Sequence, residues 1–456
     1  MNRFTSRLCA SLCLVGWLSA SALAGGSFVI PEGLNEAQRA RLERFKTFQI
    51  KGVCNDYDMD RLVTFGVNTV RGYTIPGGET TKAQLDHAHR IGMKVILGEW
   101  MPHHGKNKGN NGTVWTFDYN AKEEEMLSKF IAKVEAIGDH PAILMWSLGN
   151  EVHLDEPYLR VVNRMSKAIH DRYPHHVTSL TMINAKPEAI EAVKKYAPDI
   201  DVLGLQSYSR GAVRGSMKNA EALWGKPFYM SEFNTNGPWN LGKAPWGTAV
   251  EEPVSNKVRD LKDCYKAIDE SPLSLGSTIF VWGYYPQGYF STLIEPDLRK
   301  LTPRGESLAH TYLTPQAEVM IEHFTGKPIT GNRAPVITQV AFPDPADPAK
   351  LTPHRLAKPG EQLPVKVSAD DPNGDPVEYV VWIVDSTKPL RPVVAGPYNY
   401  TSADAVVVTA PEKFGEYFGL IVARDNKGGG SISNVVFKVP DPTAADPYAP
   451  LVPPTK

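Results

Sequence analysis

Between residues 48 and 314, short apolar runs alternate with stretches whose apolar residues recur every three or four positions, and Gly, Pro and Asp mark the boundaries. Eight runs read as strands: 48–53, 67–73, 94–100 and 142–151, then 177–183, 202–208, 227–233 and 277–285. Helical patterns follow, most clearly over 58–66, 80–92, 121–138 and 156–174, with Gly66 and Gly92 placed where a helix C-cap is wanted. Eight strand–helix units over this span match a (β/α)8 TIM barrel in number and size. The competing open, doubly wound sheet calls for a G-x-G-x-x-G turn after the first strand, and none is there. The expected fold class is therefore α/β, a TIM barrel.

The pattern changes after Gly331. Residues 334–439 have no helical period and carry runs such as VITQVAF, VEYVVWIV and SNVVFKV, separated by turns such as ADDPNGDP and RDNKGGG. About seven short strands at this spacing predict a smaller all-β sandwich of immunoglobulin-like or cadherin-like type. Asp370, Asp371, Asp375 and Asp425 in its turns suit either calcium ligation or ordinary turn chemistry. The expected organisation is a barrel domain over 25–330, a sandwich over 334–440 and a Pro-rich tail without fixed structure over 441–456.

Ahead of the barrel, Arg3 and Arg7 precede an apolar run that ends in Ala20-Ser21-Ala22-Leu23-Ala24. This is a secretory pattern: residues 1–24 form a signal peptide cleaved after Ala24, and the product is periplasmic or extracellular. That run is too short to cross a membrane and no later one is longer, so no membrane span is expected. Cys9 and Cys13 lie inside the signal; for the remaining Cys54 and Cys264, two buried thiols are favoured over a bridge. Lys plus Arg number 49 against 50 Asp plus Glu, a formal net charge of −1, so no basic field exists to hold phosphates and no nucleic-acid partner is expected. The 9 Trp and 18 Tyr offer flat faces that suit sugar rings.

In such a barrel the C-terminal strand ends share one pocket. Those ends carry Arg71 on the second strand, Glu99 and Trp100 on the third, and Asn150 and Glu151 on the fourth. Gln206 and Tyr208 close the sixth, Glu232 the seventh and Trp282 the eighth. A lone glutamate at a strand end is usually a solvated tip. Two of them across one ring, with an asparagine beside the first, fit retaining glycoside hydrolysis: an acid protonates the leaving oxygen, and a carboxylate about 5–5.5 Å away attacks the sugar carbon. One carboxyl must stay protonated and the other ionised. Arg71 is a source of charge for the ionised one and Tyr208 a hydrogen-bond donor to it.

Glu99 and Trp100 either line a sugar subsite or serve structure. With His103 and His104, Glu99 also groups metal-ligand types; no fourth ligand is evident and the chemistry needs neither metal nor cofactor. Trp115, Trp239 and Trp246 lie on long loops after the third and seventh strands, where stacking platforms for further sugar units are expected.

WSLGNE followed by MSEF resembles the glycoside hydrolase clan whose acid/base and nucleophile glutamates stand on barrel strands four and seven. The resemblance covers about residues 48–314 and implies Glu151 as acid/base and Glu232 as nucleophile. It further implies Asn150 as the group that binds the sugar 2-hydroxyl, Arg71 and Tyr208 as strand-two and strand-six neighbours, and Trp282 as the aromatic floor of the subsite. Within the clan, IKGV…DMDRLVTFGVNTVRGY is similar to family 2 barrels, which include β-galactosidases, β-mannosidases and β-glucuronidases. The pairing of GNEV with SEFNTN resembles family 72, the β-1,3-glucanosyltransferases. The expected function is retaining hydrolysis of β-linked oligo- or polysaccharides by a secreted monomer. Glucanosyl transfer by the same glutamate pair, and a catalytically inactive carbohydrate-binding envelope protein, are the alternatives.

Overall fold

The computed structural model describes residues 28–76, 78–109, 113–285, 288–300, 311–388 and 392–449. The expected signal peptide lies outside the described residues, as does the end of the Pro-rich tail. Eight parallel strands close a barrel in chain order: β1 (Ile50–Cys54), β2 (Thr69–Arg71), β3 (Lys94–Glu99), β4 (Ile143–Leu148), β5 (Val177–Ile183), β6 (Val202–Tyr208), β7 (Phe228–Asn234) and β8 (Ser274–Ile279). Helix α1 (Glu36–Leu42) precedes them. After β1 to β7 come α2 (Met59–Thr64), α3 (Gly78–Arg90), α4 (Tyr119–Ile137), α5 (Glu156–Arg172), α6 (Pro187–Tyr196), α7 (Arg210–Asn219) and α8 (Val254–Glu270), and α9 (Pro315–Thr325) follows β8. The helices start where the sequence supplies caps: Asp118 and Asp155 accept backbone N–H groups of Asn120 and Tyr158.

Two strands end earlier than their apolar runs. β4 stops at Leu148, because Gly149 turns the chain at φ +89°. β8 stops at Ile279, and the aromatic run from Phe280 onward is loop, in which Phe280 packs on Tyr285 and Phe290 while Trp282 packs on Phe65.

Strand alternation sorts side chains between two layers. Inside the barrel, Ile50, Ile96, Val177, Val202 and Leu275 form one cluster with Phe28, Leu42 and Phe45 of the N-terminal segment, which plugs the N-terminal mouth. There Arg41 holds the buried Asp201 through Nη2 at 2.9 Å and Nε at 3.0 Å. The opposite phase of each strand, including Val95, Leu97, Leu203 and Leu205, packs against the helices.

The C-terminal part is all-β: β9 (Val336–Pro343), β10 (Leu351–Thr352), β11 (His354–Leu356), β12 (Gln362–Pro364), β13 (Lys366–Asp370), β14 (Glu378–Asp385), β15 (Val393–Tyr400), β16 (Val407–Thr409), β17 (Gly415–Arg424) and β18 (Gly430–Val439). A five-stranded sheet in the order β11-β18-β17-β14-β15 faces a three-stranded one, β10-β9-β13, and β12 pairs with β16. Ile337, Phe342, Val367, Val381, Ile421 and Val435 fill the space between. Strand β15 contains Gly396 and Pro397, which read as breakers in the sequence; proline is tolerated there because the strand is an edge.

The larger sheet is apolar on both faces. Val381 and Ile383 of β14 point into the sandwich, whereas Val380, Trp382 and Val384 point out and join Leu420 and Ile432 in a second cluster. Ala244 and Trp246, from the loop after β7, and Ile294 and Leu298, from the loop after β8, complete that cluster, so barrel loops cover the outer face. Trp246 is only 2% exposed and offers no platform to a sugar. Truncating it opens a cavity across both domains, and Trp246→Ala is expected to cost about 3–5 kcal/mol in urea unfolding followed by far-UV circular dichroism. A loss below about 1 kcal/mol on the same scale would mean that the loop repacks freely.

Candidate active site

Alternation alone would turn Glu232 away from the pocket. On β7, Tyr229 belongs to the interior cluster and Phe228 and Met230 to the helix-facing one, so the next residue in phase with Met230 also faces the helices. A β-bulge intervenes. Leu205 pairs with Met230 but Gln206 pairs with Glu232, which leaves Ser231 as the extra residue. The neighbour on the other side confirms it: Ser277 pairs with Met230 and Ile279 with Phe233. Glu232 therefore emerges inside, beside Gln206, while Phe233 returns to the helix layer.

Glu151 arrives by a turn. Gly149 at φ +89° and Glu151 at φ +54° are both left-handed, and a Cβ at Gly149 would collide with the Tyr158 hydroxyl. That hydroxyl donates to the Leu148 carbonyl at 2.7 Å. A glutamate with positive φ is uncommon, and such strain concentrates at functional sites.

Five of the expected residues meet in one network. Arg71, 1% exposed, donates through Nη1 to Glu232 Oε1 at 2.8 Å and through Nη2 to Asn150 Oδ1 at 2.6 Å. Gln206 Nε2 donates to the same two oxygens, at 2.7 Å to Glu232 and 2.6 Å to Asn150. Tyr208 donates its hydroxyl to Glu232 Oε2 at 2.7 Å. Both carboxylate oxygens of Glu232 are thus held, and the two donors on Asn150 Oδ1 turn its Nδ2 away from the network. No such donor reaches Glu151 among the described residues. Burial pushes the Glu151 carboxyl up to about 7, and the negative charge of Glu232 adds to this against the opposing pull of Arg71. Burial and the Glu232 charge likewise raise Tyr208, which keeps its phenol as a donor.

The other expected residues lie elsewhere. Glu99 shares the phase of Val95 and Leu97, so its carboxylate points to the helix layer, where Lys133 of α4 holds it at 2.6 and 2.9 Å. This ends both its subsite role and the metal grouping, since His104 Nδ1 accepts the Tyr119 N–H. Trp100, next to it, stands half exposed at the rim; Trp239 is the exception to this scatter, 57% exposed with its ring 5.3 Å from that of Tyr208. Trp115 is half-buried in a hairpin beyond β3.

Trp282 is fully buried against Phe65 at 6.0 Å and the Arg61 guanidinium, on the α2 side of the barrel. The aromatic wall beside Tyr208 is instead made by Phe280 and Phe290, at 5.9 and 4.8 Å between ring centroids. The sequence offered a weak signal: FVWGYY is aromatic at several positions, and only the end of β8 tells which ring faces inward.

Cys54 is a free, buried thiol under the site, pushed up to about 11 by burial, and Cys264 is free as well. In the sandwich, Asp371 accepts the N–H groups of Asn373 and Asp375, Asp425 accepts those of Lys427 and Gly429, and Asp375 pairs with Lys427. These aspartates serve turns. Among the described residues, one cluster brings three possible metal-ligating residues within 4.8 Å: Asp139, His175 and His176, before β4 and β5 at the opposite barrel end. Trp146 donates its indole N–H to His176 Nδ1 at 3.0 Å, which puts the neutral ring's proton on Nε2, the nitrogen that faces Asp139. A metal would have to displace that proton.

A parallel eight-stranded barrel with one glutamate after β4 and, on β7, a second held by an arginine on β2 and a tyrosine on β6 resembles the barrels of glycoside hydrolases. In agreement, residues 26–237 match the family of glycosyl hydrolases family 2, TIM barrel domain. Among solved structures, a β-glucuronidase from Bacteroides uniformis is similar at 12% identity and a TM-score of 0.42, over 86% of this chain and 46% of that one. A β-galactosidase from the psychrophilic Marinomonas ef1 is similar at 14% identity and a TM-score of 0.40, over 60% of this chain and 58% of that one. The catalytic domain of a GH53 protein from Ignisphaera aggregans is similar at 14% identity and a TM-score of 0.39, over 58% of this chain and 94% of that one. The chain thus spans less than half of the β-glucuronidase. None of the curated proteins matches it.

The raised pKa of Glu151 has a part that depends on its neighbour. Glu232→Gln removes the neighbouring charge, so Glu151 should titrate below its present value of about 7 while staying above an exposed glutamate, because burial persists. Carboxyl 13C NMR titration of wild type and variant measures this; an unchanged or higher value in the variant would show that the two carboxyls do not sense each other.

Proposed function

We propose that the chain is an exported retaining glycoside hydrolase acting on β-linked oligo- or polysaccharides, with Glu232 as nucleophile and Glu151 as acid/base. One observation carries the reading: Arg71, Gln206 and Tyr208 all donate to Glu232, while Glu151 lies beside it with its carboxyl raised to about 7. The family 2 match over residues 26–237 supports the class, and the Arg3–Ala24 pattern supports export.

In the first half-reaction Glu232 attacks the anomeric carbon as Glu151 gives its proton to the departing glycosidic oxygen, which leaves a glycosyl ester on Glu232. In the second, Glu151 takes a proton from water, the water oxygen attacks the anomeric carbon, and Glu232 is released. Asn150, its Oδ1 held by Arg71 and Gln206, has Nδ2 left to donate to a sugar hydroxyl. Net retention follows from two inversions.

The acid must carry its proton, so kcat/KM should fall as pH rises through about 7, the value to which burial lifts Glu151. Glu151→Gln should lower kcat/KM about 10²–10⁴-fold for glycosides with poor leaving groups and far less for activated aryl glycosides, which need little protonation. Equal losses on both substrate kinds would remove Glu151 from the acid role. Glu232→Ala should abolish turnover of both, and 1H NMR of the first-formed anomer with wild type should show retention; an inverted product would overturn the double displacement.

A further inference from the structure

We infer that Ile432 of the C-terminal sandwich is a positioning residue for the nucleophile, acting through Gly288, Phe290 and Tyr208. The inference rests on the reading of Glu232 given above. Ile432 is 3% exposed on β18, and its side chain fills the space a Cβ at Gly288 would take. Gly288 sits at φ +78°, a conformation glycine adopts without strain. The same strand grips the segment a second time. Asn434 Oδ1 accepts the Glu251 N–H at 3.3 Å, and the Glu251 carboxylate pairs with Lys257 of α8 at 2.7 Å, both side chains fully buried. Lys257 Nζ donates in turn to the carbonyls of Gly288 and Tyr289, each at 3.4 Å.

The next residue is Phe290, 1% exposed, whose ring lies 4.8 Å from that of Tyr208. The Tyr208 hydroxyl reaches Glu232 Oε2 at 2.7 Å. A hydrogen bond weakens steeply with misalignment, so a ring released from Phe290 loses its hold on the carboxylate. The sandwich face that carries Ile432 is covered by barrel loops, and its role here is mechanical rather than glycan-binding.

The test uses the full chain and an aryl β-glycoside. Ile432→Ala and Phe290→Leu should each lower kcat/KM about tenfold, a modest share of what misplacement at a reacting centre can cost. Each should do so through kcat with KM little changed, because no group that binds the substrate is altered. The double variant should be no worse than the weaker single, as expected of residues in one series. Ile432→Leu, which keeps the volume, should restore both readouts and covers the case in which Ile432→Ala folds poorly. Hydrogen exchange read by mass spectrometry should quicken in peptides over 202–210 as well as 288–294 in Ile432→Ala. A folded Ile432→Ala with unchanged kcat and unchanged exchange over 202–210, or strictly additive losses in the double variant, would overturn the inference. If wild type turns over no glycoside, the reading of Glu232 falls, and the exchange measurement still decides whether Ile432 governs Tyr208.

Discussion

A guanidinium inside a barrel is costly unless anions and acceptors surround it, and Arg71 is almost completely removed from water. Glu232 supplies the counter-charge, and the Ser231 carbonyl and Asn150 amide oxygen supply further acceptors. This one cation draws strands two, four and seven together above the apolar layer. It fixes the amide of Asn150, and with it the turn on which Glu151 stands. Removing either member of the pair strands a buried charge, so integrity at the top of the barrel and the placement of the Glu232 carboxylate depend on the same contact.

The two barrel ends divide the work. At the N-terminal mouth, Phe28, Leu42 and Phe45 close an apolar plug, and Arg41 with Asp201 locks it. At the C-terminal mouth the interior turns polar, and the loops after β7 and β8 extend sideways until Trp246, Ile294 and Leu298 lie on the sandwich. That division is usual for such barrels. Less usual is that the walls of the polar end lean on a second domain, whose outer sheet face would otherwise be a large exposed apolar patch.

Most of the barrel could be read from the chain because its strands are buried on both faces and stand out as apolar runs between capped helices. The site was legible where chemistry and strand ends coincide, as at Arg71, Asn150, Glu151, Gln206 and Tyr208. Glu99 was misplaced although its phase, set by Val95 and Leu97, was already in the sequence. Trp282 was misplaced for another reason: where β8 ends cannot be seen in a run that stays apolar through the following loop, and the rings beside Tyr208 prove to be Phe280, Phe290 and Trp239. Trp246 read as a platform because cover by a second domain leaves no mark on the loop itself. The doubly apolar VEYVVWIV of the partner sheet was the available sign that something must lie on it.

The bulge at Ser231 carries a consequence for how this chain tolerates change. A strand has two sides, so the side on which Glu232 emerges is decided by whether the count of residues back to Tyr229 is even or odd. Substitutions leave that parity alone; a single inserted or deleted residue reverses it, and an intact carboxylate would then lie among the helices with its letters unaltered. In this barrel the length of the segment before the SEF triplet decides where the carboxylate stands as firmly as the glutamate itself does.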